Sequence, residues 1–410
     1  MKLALATFFT ASIVASAATV TVTSSISLAI AQARNGDTVL LKGPASFHER
    51  VVIAKSIRLV GTNSPIIDAD GSGAPLTLAA PDAEITGLTL RHSGHDLAAA
   101  DSGVMIKARH AIVRNCRIEN DAFGIYIHGG GDCVIEKNEL FGSTNIASSA
   151  RGNGIHLWNT QHNQIIGNTI HDKRDGMYFS YADDNLIAGN RVSETRFGIH
   201  YMYSHQNRLL SNSLSYNTVG ATLMFSRQSL VEGNSILANR RHGLVLKQVD
   251  NSRIINNLVA GQNRGFFIQQ ASQNRFEGNT IATNDIGVYP SNASEQNVFV
   301  GNSFVRNTAQ VWQPPFETEQ GRNGPNSFSE KGRGNYWSDY TGEDRNQDGI
   351  GDTPYHQTDV FGYIVDRHPA ARVLALSPAL ALLRKGEAMM PLLDTEGVTD
   401  LAPLMHPFSK

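Results

Sequence analysis

From Val113 to Phe304 apolar and polar residues alternate in a pattern that returns about every 22 residues. Each return opens on a glycine: Gly124, Gly154, Gly176, Gly198, Gly220, Gly243, Gly265 and Gly287. A short run with period-two alternation follows, as in Gly198-Ile-His-Tyr-Met-Tyr203 or Gly154-Ile-His-Leu-Trp158. That is strand patterning, with the first and third positions after the glycine facing inward and the second and fourth outward. Asparagine marks the same repeat at positions 138, 168, 190, 212, 234, 257, 279 and 302, in steps of 30, 22, 22, 22, 23, 22 and 23. A second polar column runs through Asn163, Asn185, Asn207, Ser229, Asn251, Asn274 and Asn297. No repeat holds a 3.6-residue apolar stripe long enough for a helix, which excludes helical and leucine-rich solenoids. The pattern predicts an all-β chain: a right-handed parallel β-helix of ~22-residue coils, each with three short strands and Asn or Gly corners. Asparagine tolerates left-handed backbone, and its amide can bond to the same amide one coil along. With coils ~4.8 Å apart, the eight marked repeats make a rod ~35–40 Å long.

The pattern also divides the chain. Residues 1–17 read as a secretory signal: Lys2 supplies the positive start, Leu3 to Val14 is apolar, and Ala15-Ser-Ala17 suits cleavage. No later stretch reaches the ~20 apolar residues of a membrane span. Residues 18–312 form the β-helix. Ser25 to Ala33 predicts a short amphipathic helix closing its open end, because an uncovered first coil would expose core and strand edge. Eight extra residues around Thr144 to Gly152 predict a loop leaving one face. Residues 313–368 are a turn-rich cap, and residues 369–410 an apolar helical tail, broken by Pro378 and Pro391, that docks on a partner.

Charge adds little. With 35 Lys+Arg against 37 Asp+Glu in 410 residues, neither nucleic acid nor an anionic membrane surface is indicated. An oxidising compartment would permit a Cys116–Cys133 bridge. Cys116 falls in the Asn138 column, however, and Cys133 lies five residues before that column in the next coil. The offset favours packed thiols over a disulfide.

Histidine and methionine gather at the outward strand positions. Tyr126 and His128, His156 and Trp158, Tyr178 and Ser180, His200 and Met202, Thr222 and Met224, Val245 and Lys247 follow in order. Thioether and imidazole suit Cu(I). A transient copper site is expected at His200, Met202 and Met224, with His156 and His128 passing copper along. Met389, Met390, Met405 and His406 in the tail are weaker candidates. A covered sheet face would show the same residues. Asp344, Asn346 and Asp348 alternate before Gly349, with Asp352 beyond, at the spacing of a Ca²⁺ loop whose twelfth position is Tyr355 instead of Glu; an Asx-rich turn is the other reading. Arg174, Arg196, Arg241 and Arg264 form a basic strip that could hold an anionic glycan. A carbohydrate-binding or polysaccharide-cleaving β-helix is therefore the rival function, but the outward positions lack the paired carboxylates such chemistry needs.

With Gly36-Asp-Thr-Val39, the Asn/Gly repeats, Asn335-Tyr-Trp-Ser-Asp339, Asp344 to Tyr355 and Asp366-Arg-His-Pro369 in view, the chain resembles the NosD family over essentially its full length. The resemblance implies a non-catalytic periplasmic protein beside an ABC transporter (permease and ATPase subunits) and a copper-chaperone lipoprotein. Together they supply copper for the centres of nitrous oxide reductase. It implies no residue-level copper ligands.

Overall fold

The computed structural model describes residues 17–291, 293–312, 325–357, 368, 377–378, 382 and 398–407. Three parallel sheets wind along one rod, as the repeat predicts. Sheet S1 has 13 strands, from Thr19–Thr21 to Val298–Val300. Sheet S2 has 13, from Ser46–His48 to Tyr336–Trp337, and sheet S3 has 12, from Val51–Ile53 to Ala309–Val311. Within each sheet a strand pairs with its equivalent one coil away, as Leu186–Ala188 does with Arg208–Leu210. One apolar column per sheet fills the interior, for example Ile165, Ile187, Leu209, Val231 and Ile254, all fully buried.

The glycine column is needed for space. A Cβ at Gly198 would run into the carbonyl oxygen of Gly220, and one at Gly220 into that of Gly243. The backbones approach too closely there for any side chain.

The asparagine columns are buried hydrogen-bond ladders. Asn190 donates its backbone N–H and its amide to Oδ1 of Asn212, both at 3.0 Å. Asn212 does the same to Asn234, at 2.8 and 3.0 Å. Three details differ from the sequence reading. The left-handed residue is the one before each ladder asparagine, Gly189 (φ 63°) or Ser211 (φ 54°), rather than the asparagine itself. The second column passes through Ser252, not Asn251: Ser229 N–H donates to Ser252 Oγ, and Asn251 holds the left-handed corner at φ 53°. A third ladder, Thr195, Asn217 and Asn239, then Gln262, Asn284 and Asn307, was hidden because its chemistry drifts along the chain. Cys116 and Cys133 each donate a backbone N–H to the first asparagine of a ladder, Asn138 and Asn163. Both thiols are free and buried, and burial pushes the Cys116 thiol up to about 12.

The N-terminal plug is the helix Ile26–Gln32, with Ile26, Ala29 and Ile30 buried in the core. Glu49 accepts from the N–H of Ile26 (2.6 Å) and Ser27 (3.3 Å), while the Lys55 ammonium reaches the carbonyls of Ile30, Ala31 and Ala33. Opposite charges therefore sit at the two ends of the helix dipole where each is favoured.

At the other end the ladders continue beyond the expected limit at 312. Asn297 bonds to Asn326, and Asn302 to Asn335. Asn335 in turn donates its N–H to Asp400, at 2.7 Å. The tail accordingly differs from the helical expectation. Pro378 and Leu382 are helical, but Val398–Asp400 is a strand, antiparallel to Tyr355–Gln357. Its last turn packs on the cap through Leu404, which bridges to Tyr336 and Ile350. Residues 1–16 of the signal segment 1–17, and Met389 and Met390, lie outside the described residues.

Candidate copper-handling face

Sheet S3 carries the longest strands, including Asp175–Asp183, Val219–Arg227 and His242–Asp250. Alternation turns Ile199 and Tyr201 fully inward and leaves His200 and Met202 facing out. The register aligns two outward columns. One is Tyr126, His156, Tyr178, His200, Thr222, Val245, and the other His128, Trp158, Ser180, Met202, Met224, Lys247. Met202 and Met224 are thus direct cross-strand neighbours, as expected one coil apart.

The first column is an aromatic and imidazole stack. His156 lies on Tyr126 with ring centroids 4.4 Å apart, Tyr178 meets His156 at 4.9 Å, and His200 meets Tyr178 at 5.0 Å. His128 stacks on Trp158 at 4.6 Å. Burial lowers the pKa of His156 to about 4, leaving it neutral and able to act as a ligand at pH 7.

The face is less open than the sequence suggests. His200 is 8% exposed and Thr222 fully buried, while Met202 and Met224 are half-buried and His128 is exposed. His200 is packed by Tyr178 and Phe197 and held by Asp175, an acid that sequence reasoning passed over because it precedes Gly176 instead of following it. Its carboxylate accepts from Arg196 Nε (2.8 Å) and Nη2 (2.7 Å), and Oδ2 lies 3.1 Å from His200 Nδ1. Burial alone would raise this carboxyl, but the bonds from His200 and Arg196 outweigh it and hold the pKa below the usual carboxylate value. With Nδ1 held at the carboxylate, Nε2 is the ring nitrogen left to meet a ligand. That nitrogen is buried and has no hydrogen-bond partner among the described residues; the same holds for the hydroxyl of Thr222, the register partner of His200. A carboxylate on one ring nitrogen with the other left bare is the arrangement that orients a metal-binding imidazole.

The expected triad is held from one end. Asp175 stands opposite Phe197, three residues before His200, whereas Met202 lies two residues after it. The imidazole is thus anchored from the end of the strand away from the methionines. The geometry provides an oriented imidazole and, beside it, a thioether pair. Of the basic strip, Arg196 is bonded to Asp175, which is shared with His200, and Arg264 lies over the ring of Tyr289.

The acidic loop is built as Asx turns. Asp344 accepts from the N–H of Asp348 (3.2 Å) and Gly349 (2.9 Å), Asp348 from Ile350 (2.8 Å), and Asp352 from Arg345 (2.8 Å). Asn346 accepts from Asp348 N–H at 3.1 Å and donates to its carboxylate at 2.9 Å. Among the described residues its acids do not form a group of three converging donors. Met405 is half-buried against this loop, its N–H on Gly349 O, and His406 is exposed.

Residues 142–342 match the family described as "Periplasmic copper-binding protein (NosD)". Two curated relatives, both called "Probable ABC transporter binding protein NosD", come from Stutzerimonas stutzeri and Pseudomonas aeruginosa. The first is 34% identical over 83% of this chain and 80% of its own length. The second is 33% identical over 83% and 82%. Among solved structures, a PL6 polysaccharide lyase from Pseudopedobacter saltans superposes with TM-score 0.57 at 12% identity, covering 75% of this chain and 90% of the lyase. The Dettilon tailspike protein superposes with TM-score 0.55 at 14% identity, over 72% of this chain and 62% of the tailspike. At such identities these two share the fold alone. Identity of a third with full-length relatives, over coils whose ladders and outward columns are now placed, makes this chain a member of the NosD family of periplasmic copper-binding proteins.

Proposed function

We propose that this protein is a non-catalytic copper-handling partner of an ABC transporter and supplies Cu(I) for maturation of nitrous oxide reductase. The family and the names of its relatives support the copper and transporter parts of this reading. The observation that carries it is the Asp175–His200 pair, whose bare, buried Nε2 lies on the same strand as Met202, beside Met224. Copper is cargo here. The thioethers of Met202 and Met224 take Cu(I), His200 adds a nitrogen donor, and His156 and His128 extend the donor column toward the N-terminal coils. Three soft or borderline donors leave a position for handover, so binding is weak and exchangeable. The partners are the transporter's permease and ATPase subunits, a copper-chaperone lipoprotein and the reductase, with export through the signal segment.

Met202→Leu with Met224→Leu preserves volume and removes both sulfurs. The folded variant should retain at least about tenfold less Cu(I) under competition with a chelator, with an unchanged melting temperature. Retention equal to the parent's would move the site elsewhere, Met405 and His406 being next.

The loop Asp344, Asn346, Asp348 and Asp352 is proposed to take Ca²⁺, its carboxylates turning from backbone N–H to the ion. Chelation should then lower the melting temperature through the loss of a ligand bound only to the folded state, and Asp348→Ala should abolish that difference. If chelator leaves the parent's melting unchanged, the loop is a turn and nothing more.

A further inference from the structure

We propose that the first coils carry a site for a borderline divalent cation, Zn²⁺ or Cu²⁺, formed by His48, His92, Asp68 and Asp70. It lies on the outer surface of sheet S2 near the helix-plugged end, on other strands than the S3 face, and does not depend on the copper-delivery reading.

The coil repeat brings these residues together. His48, Asp68 and Arg91 are register partners on three successive coils, each the last residue of its strand. Asp70 and His92 follow in left-handed backbone, φ 52° and 53°. The donor atoms of His48, Asp68 and Asp70 all lie within 4.8 Å of one another. His48 Nδ1 is 2.8 Å from Asp70 Oδ1. His92 Nδ1 is 2.9 Å and 3.1 Å from the two oxygens of Asp68. Two imidazole–carboxylate bridges, His48–Asp70 and His92–Asp68, therefore stand side by side, and the Asp68 carboxylate is buried, 2% exposed.

Four donors around one ion at ~2.1 Å stand roughly 3.4 Å apart in a tetrahedron. The two bridges, at 2.8 to 3.1 Å, are already near that spacing; the donors of His48, Asp68 and Asp70 draw in from within 4.8 Å of one another, and His92 turns in from Asp68 as the fourth. Each Nδ1 proton leaves, or moves to Nε2, and both rings are exposed enough for this: the His48 side chain is 58% and that of His92 45% accessible. Asp68 already accepts from Arg91 Nε (2.8 Å, on Oδ2) and from the N–H of Asp70 (3.0 Å, on Oδ1). A carboxylate has about four lone-pair positions, so these bonds leave room for an ion. The Arg91 charge limits affinity, and the site is of moderate strength. Two nitrogens and two oxygens without a thioether select Zn²⁺ or Cu²⁺ over Cu(I). Bound there, the ion staples neighbouring coils next to the rod end, where a solenoid has only one neighbour per coil.

The test uses the mature chain, stripped with chelator and dialysed, then titrated with Zn²⁺ alone and separately with Cu²⁺. Calorimetry reads affinity, and thermal melting is followed with and without metal. About one ion should bind, and binding should raise the melting temperature. His48→Ala and His92→Ala should each weaken binding by more than the roughly 10–100-fold that loss of an outer-layer partner costs, and remove the metal-dependent rise. Asp70→Asn, at an exposed position, should do the same without disturbing the metal-free fold. The Met202→Leu, Met224→Leu variant should bind as the parent does. Variant-sensitive binding of Cu²⁺ but not Zn²⁺ would support the site with copper as its ion. The proposal is overturned if the parent binds neither, or if the histidine variants bind as tightly as the parent.

Discussion

Asn212→Leu should be among the most damaging single changes in the rod. Asn212 accepts two bonds from Asn190 through one oxygen and donates its amide to Ile187 O, at 2.9 Å, and to Asn234 Oδ1. Leucine removes all of these. The N–H of Asn190 and the carbonyl of Ile187 are then left in a site where Asn212 is 1% exposed and no water can replace it. Each orphaned buried group costs roughly 1–3 kcal/mol, so the two together cost roughly 2–6 kcal/mol. Ser211→Gly supplies the control of opposite sign: it relieves left-handed backbone next door and should be neutral or slightly stabilising. Because a solenoid need not unfold in one step, the cleaner readout is hydrogen exchange. Protection of the Asn190 amide should collapse in Asn212→Leu and persist in Ser211→Gly. Retained protection in the leucine variant would refute the ladder as a stabilising device.

A loss of similar size is expected at the far end, from Asp400→Ala. The Asp400 side chain receives the N–H of Asn335 (2.7 Å), the indole N–H of Trp337 (2.8 Å) and the N–H of Ala402 (3.0 Å), with no solvent access. It ends the longest ladder by supplying an acceptor where no further asparagine follows. Its removal leaves three donors unpaired next to Trp337, which stacks on Phe304 at 4.2 Å and on Tyr355 at 4.3 Å. At roughly 1–3 kcal/mol for each, the cost is roughly 3–9 kcal/mol. Gly334 is part of the same fit, since a Cβ there would collide with the Asp400 carboxylate. Gly334→Ala should therefore be nearly as harmful as Asp400→Ala, and the double variant much less than the sum. Melting of the C-terminal coils, followed by exchange at Asn302 and Asn335, would show this. Simple additivity would refute the contact. Deleting residues 370–410, which would otherwise seem a way to free a soluble rod from a docking tail, removes this cap as well.

How much of this could be read beforehand depended on the distance over which each cause acts. Strand alternation, the glycine spacing and the main asparagine column follow from a side chain's relation to its own coil and the next, and the coil length converts both into sequence period. The third ladder obeys the same geometry but was hidden, because threonine and glutamine serve at positions where the eye looks for asparagine. Asn251 was misplaced for the converse reason: it is an asparagine beside the ladder, serving its left-handed corner, while Ser252 carries the bond. On the S3 face the outward order of His200, Met202 and Met224 was legible, since period two dictates it. Asp175 was not, because its role depends on where one carboxylate points across a coil boundary.

The repeat by itself determined the parallel β-helix, its coil length, the plugging helix and the sheet that gathers imidazole and thioether, since all of these arise from contacts between neighbouring coils. Tertiary structure decided the rest. Whether His200 is open or buried, which of its nitrogens is bare, and which acid closes the last ladder are set by side chains meeting across 25 and 65 residues of chain. Such meetings depend on direction and burial, and no sequence period records them.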